Sequence, residues 1–224
     1  MEDKVKNMLG SERTIEVKFI EESLKNYTNK KVLDVGGIPT DSHQMESIYD
    51  CIENNEIDFR ISDFRSHNVV LPNHPNIKCN YPGDFVQYDF KDEKFDMVIF
   101  LSSLEHFPQC TESDRVYREG YDIKGYEKAL SILNEEGIIL LTVPFGKYRW
   151  QKYHQNYNMG GILKLTKGSE MIESYTYELV GESNPVSSVG NGVWEIRDPK
   201  SMEEIIYSDR AYGVGCFVLK KIQL

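Results

Sequence analysis

Basic charge is in short supply in this sequence: 26 Lys and Arg stand against 36 Asp and Glu in 224 residues, a formal net charge of −10 at pH 7. A balance of that sign repels phosphate backbones, so nucleic acid is disfavoured as a partner. Cysteine is scarce and scattered; Cys51, Cys79, Cys110 and Cys216 form no Cys-x-x-Cys pair and have no His-rich neighbour. That spacing argues against a structural metal centre and for reduced thiols. Long apolar runs are missing too, since "MVIFL" and "IILLTV" fall far short of the roughly 20 residues that cross a bilayer. The opening "MEDKVKNMLGSER" mixes charges of both signs and holds no apolar stretch of the secretory kind. A cytoplasmic protein without a membrane span is the expectation.

With 40% apolar and 12% aromatic residues, the chain has enough material for one sizeable core, so a single domain over 1–224 is expected. Val17, Ile20, Leu24 and Tyr27 recur at helical spacing and predict a helix within an N-terminal segment 1–30. "KVLDVGG" reads as a buried strand stopped by glycine. Asp41 and Gln44 resemble a capping box, and Met45, Ile48, Tyr49 and Ile52 then share one helical face. "IDFRISDF" alternates as a second strand ending near Asp63, the region 66–84 reads mostly as connection, and "GDFVQYDF" reads as a further short strand. "KFDMVIFL" is apolar enough to sit centrally in a sheet. After it come a helix on "GYEKALSILNEEG", with Gly137 as its stop, and the strand "IILLTV". Two later strands, "ESYTYELVG" and "YGVGCFVLKK", flank a turn-rich stretch and a short segment opening "SMEE", itself capping-box-like.

Strands alternating with helices in this way predict an α/β fold, a doubly wound and mostly parallel sheet. In such sheets ligands bind outside the carboxyl ends of the strands. Those ends hold Asp34 to Gly37, Asp63, Asp89, Ser102 to His106, and Pro144 onward. A nicotinamide site would want Gly-x-Gly-x-x-Gly at the first of them, and a phosphate loop would want Gly-Lys-Ser/Thr. Neither is present.

The order and spacing of these pieces resemble the class I S-adenosylmethionine-dependent methyltransferases over roughly 15–145. "VLDVGG" is similar to their first motif, "RISDF" to the acidic end of strand two, and "QYDF" to the acidic adenine-facing position. "KFDMVIFLSSLEHF" and "ALSILNEEGIILLTVP" are similar to strand four and to the helix and strand after it. The resemblance implies a Rossmann-like seven-stranded sheet with a C-terminal antiparallel strand, a cofactor-binding core over 31–145 and a substrate side over 146–224. It implies S-adenosylmethionine as cofactor. Asp34, Gly36 and Gly37 would then meet the methionine part, Asp63 the ribose hydroxyls, Asp89 and Phe90 the adenine, with Ser102 and Leu104 also at the cofactor. The family usually writes three alternating glycines after the acid, where this chain has Gly36, Ile38 and Thr40.

Methyl transfer from a sulfonium is an in-line displacement, and a base is needed only for a poorly ionised acceptor. His106 and His154 are the candidate bases, because imidazole titrates near neutrality. Each has a plain reading too, a packed residue beside the cofactor for His106 and a surface histidine for His154. "FGKYRWQKYHQNYN" interleaves Lys147, Arg149 and Lys152 with aromatics and suits an anionic, flat or sugar-bearing small molecule, or else completes the core. "LSSLEH" is not the Asn/Asp-Pro-Pro-Tyr/Phe of base methylation. "VPFGK" followed by "YN" resembles small methyltransferases of surface-polysaccharide pathways, which ranks a sugar or sugar-nucleotide hydroxyl first among acceptors. Two other readings stand beside this one: a catalytically silent binding module and a nicotinamide-dependent oxidoreductase. The last would lack a terminal antiparallel strand.

Overall fold

The computed structural model describes residues 8–9, 11–36, 42–64, 70–71, 74–109, 117–150, 154–181, 193–205 and 213–223. The first half runs β1 (Met8–Leu9), α1 (Glu12–Leu24), β2 (Lys31–Val35), α2 (Ser42–Asn54), β3 (Asp58–Asp63), β4 (Val70–Leu71), β5 (His74–Pro82) and β6 (Phe95–Leu101). A 3-10 helix (Leu104–Gln109) leads to α3 (Tyr121–Ile132), β7 (Leu133–Pro144), β8 (Arg149–Trp150) and β9 (Gln155–Asn156). Then come α4 (Met159–Leu165), β10 (Ser169–Val180), β11 (Val193–Ile196), α5 (Pro199–Met202) and β12 (Gly213–Lys221).

Ten of these strands form one sheet in the order β1-β11-β10-β12-β7-β6-β2-β3-β5-β4. Its five central strands, β7, β6, β2, β3 and β5, are parallel. β12 is antiparallel to both β7 and β10, which makes the expected seven-stranded sheet with its C-terminal antiparallel strand. Short strands β1, β11 and β4 extend the two edges. The antiparallel β12 beside β10 fits the methyltransferase sheet and not the usual dinucleotide order.

Helices on both faces explain why β6 is apolar on both faces from Met97 to Leu101. Along β6, Met97, Ile99 and Leu101 pack with α1 and α2 residues such as Ile15, Ile20, Met45 and Ile48. Val98 and Phe100 pack on the opposite face with Tyr126 and Ala129 of α3 and Ile162 of α4. The face read from α2 is buried in full: Met45, Ile48, Tyr49 and Ile52 are all 4% exposed or less. Asp41, the expected cap of that helix, lies outside the described residues.

Several local expectations change. The region 66–84 contains a nine-residue strand, β5, where connection was expected. "GDFVQYDF" is in turn no strand: Gly83 takes φ +111 and the Asp84 carboxylate accepts from Val86 N at 3.0 Å, which folds the chain into a turn. At the end of α3 the stop comes at Leu133, which pairs with Phe95, before the ladder resumes at Ile138 opposite Met97. Gly137 lies in the excursion between. The "SMEE" helix starts earlier than read, because Asp198 rather than Ser201 caps it by accepting from Lys200 N at 2.8 Å.

Candidate active site

The carboxyl ends of β2 and β3 bring Asp34 and Asp63 together in the interior. Asp34 faces Ile61 of β3 and Ile99 of β6 in the ladder, and its side chain is 2% exposed. Its Oδ1 is buried and has no hydrogen-bond partner among the described residues. Burial first and the nearby Asp63 second push its carboxyl up to about 7, against the opposing pull of Arg13 and the Val35 backbone. Asp63, 3% exposed, ends β3, and its carbonyl accepts from Gly83 N at 3.0 Å. Gly36 leaves β2 at φ +77, held by its N–H to Ser62 O at 2.8 Å. A Cβ there would lie 2.8 Å from Ser103 Cβ, so only glycine fits. Gly37 lies outside the described residues.

At the end of β6 the chain turns sharply. Ser102 takes φ +43, unusual for a residue with a side chain, and Ser103 Oγ donates to Val35 O at 2.6 Å. The Ser102 hydroxyl is engaged by Glu16 of α1, and Leu104, fully buried, packs against α3 at Gly125. Glu105 comes next at 1% exposure, with a buried Oε2 that has no partner among the described residues. Burial first pushes its carboxyl up to about 7, with Glu16 adding to the rise and His106 and Arg13 opposing it.

The two candidate bases do meet. The loop after β7 folds back through the β8–β9 hairpin so that Tyr157 N donates to Pro144 O at 3.0 Å and Gly146 N to Tyr157 O at 2.8 Å. That return sets the His154 ring 6.1 Å from the His106 ring, at 80°. His106 Nε2 is 3.7 Å from Glu105 Oε1, with its imidazole 43% exposed. Tyr157 OH donates to buried Asp122 at 2.6 Å, and burial, Asp122 and Glu105 push its phenol well above its ordinary range. The basic-aromatic segment divides: Phe145 and Tyr157 are core, whereas Tyr148 is 48% exposed and Trp150 stacks edge-on with exposed Tyr117 at 5.0 Å. Lys147 pairs with Glu204 at 3.1 Å, and Lys152 lies outside the described residues.

Asp89 and Phe90 are placed apart from this group. Asp89 is exposed and accepts from Lys91 N in its own turn at 2.9 Å. Phe90 is enclosed among Tyr81, Phe85, Tyr88 and Phe95. The acid beyond the end of β5 is Asp84, which accepts from Val86 N, Gln87 and the Tyr121 hydroxyl and so shapes the loop. Sequence reading passed over Asp84, Glu16, Glu105 and Asp122. The adjacency of Glu105 to His106 was the one available signal.

Asp34 and Glu105 together set a pH dependence. Both carboxyls stand at about 7 in the fold, above their ordinary 3.8 and 4.5. Because each carboxyl ionises about three pH units earlier in the unfolded chain, stability is lost progressively between about pH 4 and pH 7, by roughly 3 to 4 kcal/mol per group at most, and no further above it. Thermal unfolding should therefore show a Tm that falls between about pH 5 and 7 and levels off above. An Asp34→Asn/Glu105→Gln variant should flatten the fall. A wild-type Tm that rises over that interval contradicts the assignment.

No family model matches the chain. A sterol 24-C-methyltransferase of Candida albicans is 29% identical over 136 residues, 59% of this chain and 31% of that protein, so the match spans under a third of the relative's length. Among solved structures, the N-methyltransferase NodS of Bradyrhizobium japonicum in complex with S-adenosylhomocysteine gives a TM-score of 0.54 at 12% identity, over 95% of this chain and 88% of that one. The cyclase SpnF gives 0.56 at 13% identity, over 93% of this chain and 80% of its own. At these identities the likeness is one of fold.

Proposed function

We propose that this chain, which has the fold of the class I S-adenosylmethionine-dependent methyltransferases, binds S-adenosylmethionine at the ends of β2 and β3 and methylates a small molecule. The observation that carries the reading is the buried, unpartnered oxygen of Asp34. A buried carboxylate oxygen without a hydrogen-bond partner is costly unless a donor meets it, and the cofactor's ammonium is such a donor. Asp63 would accept from the ribose hydroxyls, and the glycine backbone at Gly36, with Gly37 after it, would let the methionine part approach. Ser102, Leu104, Asp89 and Phe90 have less direct roles in this scheme, since their side chains are engaged by Glu16, by the core or by their own turn.

When bound, the cofactor supplies a sulfonium methyl open to in-line attack. On the acceptor side we place His106 and His154, where His106, with Glu105 3.7 Å behind it, would take the proton of an acceptor hydroxyl. Tyr148, Trp150 and Tyr117 offer a partly exposed aromatic wall for a flat or sugar-bearing acceptor. A sugar or sugar-nucleotide hydroxyl in a surface-polysaccharide pathway is our first choice. Incubation with S-adenosylmethionine and a panel of sugars, sugar-nucleotides and amines tests it by release of S-adenosylhomocysteine. Release with a hydroxyl acceptor is expected, and His106→Ala should slow it by about 100-fold. Release with amines alone would overturn the acceptor class. Tight cofactor binding with no release on any acceptor would favour a silent binding module, the reading that Ile38 and Thr40 motivate.

A further inference from the structure

Glu16 is a fully buried carboxyl on α1, whose other buried residues are apolar, and the apolar core does not account for it. Its Oε1 accepts from the Ser102 hydroxyl and, at 2.9 Å, from Thr142 Oγ1. Thr142 Oγ1 in turn accepts from Ser102 N at 3.0 Å. These bonds close a ring that joins α1, the end of β6 and β7. Arg13, one turn earlier on α1, reaches Leu101 O at 3.4 Å and Glu16 Oε2 at 3.4 Å, so the same helix also grips the last residue of β6.

Ser102 sits in the left-handed region, at φ +43, where an L-residue is strained by about 1 kcal/mol or more unless something holds it. The ring around Glu16 bonds both its amide and its hydroxyl. The path of the next four residues depends on that conformation: Ser103 Oγ donates to Val35 O and abuts Gly36, and Leu104, Glu105 and His106 come after it. One carboxyl on α1 thus reaches the glycine turn after β2 through two consecutive serines.

We propose that Glu16 is a positioning residue of the candidate site, holding Ser102 left-handed so that Ser103 fixes the Val35–Gly36 turn and His106 faces the crevice. Its consequence for binding rests on the proposed cofactor site, whereas its consequence for the backbone does not. The working part is the acceptor oxygen, so Glu16→Gln keeps it and Glu16→Met, of similar size, removes it.

The probes are S-adenosylhomocysteine affinity by calorimetry and amide hydrogen exchange along 101–106. Glu16→Met should bind about ten-fold more weakly and exchange about ten-fold faster at these amides, while Glu16→Gln stays within about three-fold of wild type. Adding Ser102→Gly to Glu16→Met should recover most of the affinity, because glycine adopts φ +43 without support. If Glu16 only docks α1, Ser102→Gly will rescue nothing, and exchange will rise in α1 as much as at 101–106; either result overturns the proposal. Should Glu16→Met fail to fold, Thr142→Val opens the same ring from β7, with the same changes expected and unchanged exchange and affinity counting against the proposal. A wild type that binds no S-adenosylhomocysteine refutes the cofactor site alone, and the exchange pattern still decides for or against Glu16.

Discussion

In Asp63→Ala, affinity for S-adenosylhomocysteine should fall by about 100-fold, the loss of two charge-assisted hydrogen bonds of roughly 1.5 kcal/mol each to the ribose hydroxyls. The site geometry separates this effect from general damage. Asp63 is 3% exposed at the end of β3, and its negative charge is one of the causes that push Asp34 up. Removing it eases the ionisation of Asp34, so the ammonium contact should survive and stability near pH 8 should hold or rise. An analogue of S-adenosylhomocysteine without the two ribose hydroxyls supplies the control. It should bind wild type and Asp63→Ala alike, whereas a loss that persists with the analogue would assign Asp63 to structure.

Gly36→Val should be the most damaging single change at the turn after β2. The residue sits at φ +77, where a β-branched side chain is strained, and even its first carbon would lie 2.8 Å from Ser103 Cβ. Ser103 cannot retreat cheaply, since its hydroxyl is bonded to Val35 O at 2.6 Å. A stability loss of about 2 kcal/mol or more and no detectable cofactor binding are expected. Gly36→Ala keeps the backbone strain and the first close contact but has no β-branch, so chemical denaturation should find roughly half the loss. A Gly36→Val protein as stable and as tight-binding as wild type would mean that the turn is not held as described.

Where the hydrophobic period was clean, the sequence was enough. The α2 face, the central β6 and the strands β10 and β12 were legible from their side chains, whereas the antiparallel pairing of β12 came from the resemblance alone. β5 was hidden for a physical reason. It carries Pro75 and Pro82, pairs with β3 on one side and the two-residue β4 on the other, and so lacks the apolar run of a central strand. Missing it put the expected strand at "GDFVQYDF", beyond the end of β5, where the chain turns at Gly83 and Asp84. Buried acids were the other blind spot. Glu16 falls beside Val17 at a position that reads as solvated, and only the tertiary approach of β6 and β7 gives it partners. His106 and His154 could be named from their strand ends, but their meeting at 6.1 Å depends on a hairpin that no local signal announces.

The central claim is that the acidic strand ends around Asp34 and Asp63 hold S-adenosylmethionine. Calorimetric titration of the folded wild type and of Asp63→Ala with S-adenosylhomocysteine, side by side at pH 8, tests it most directly. Saturable binding on the order of micromolar to the wild type, weakened about 100-fold in the variant, is the predicted result. No heat from the folded wild type at millimolar ligand would contradict it.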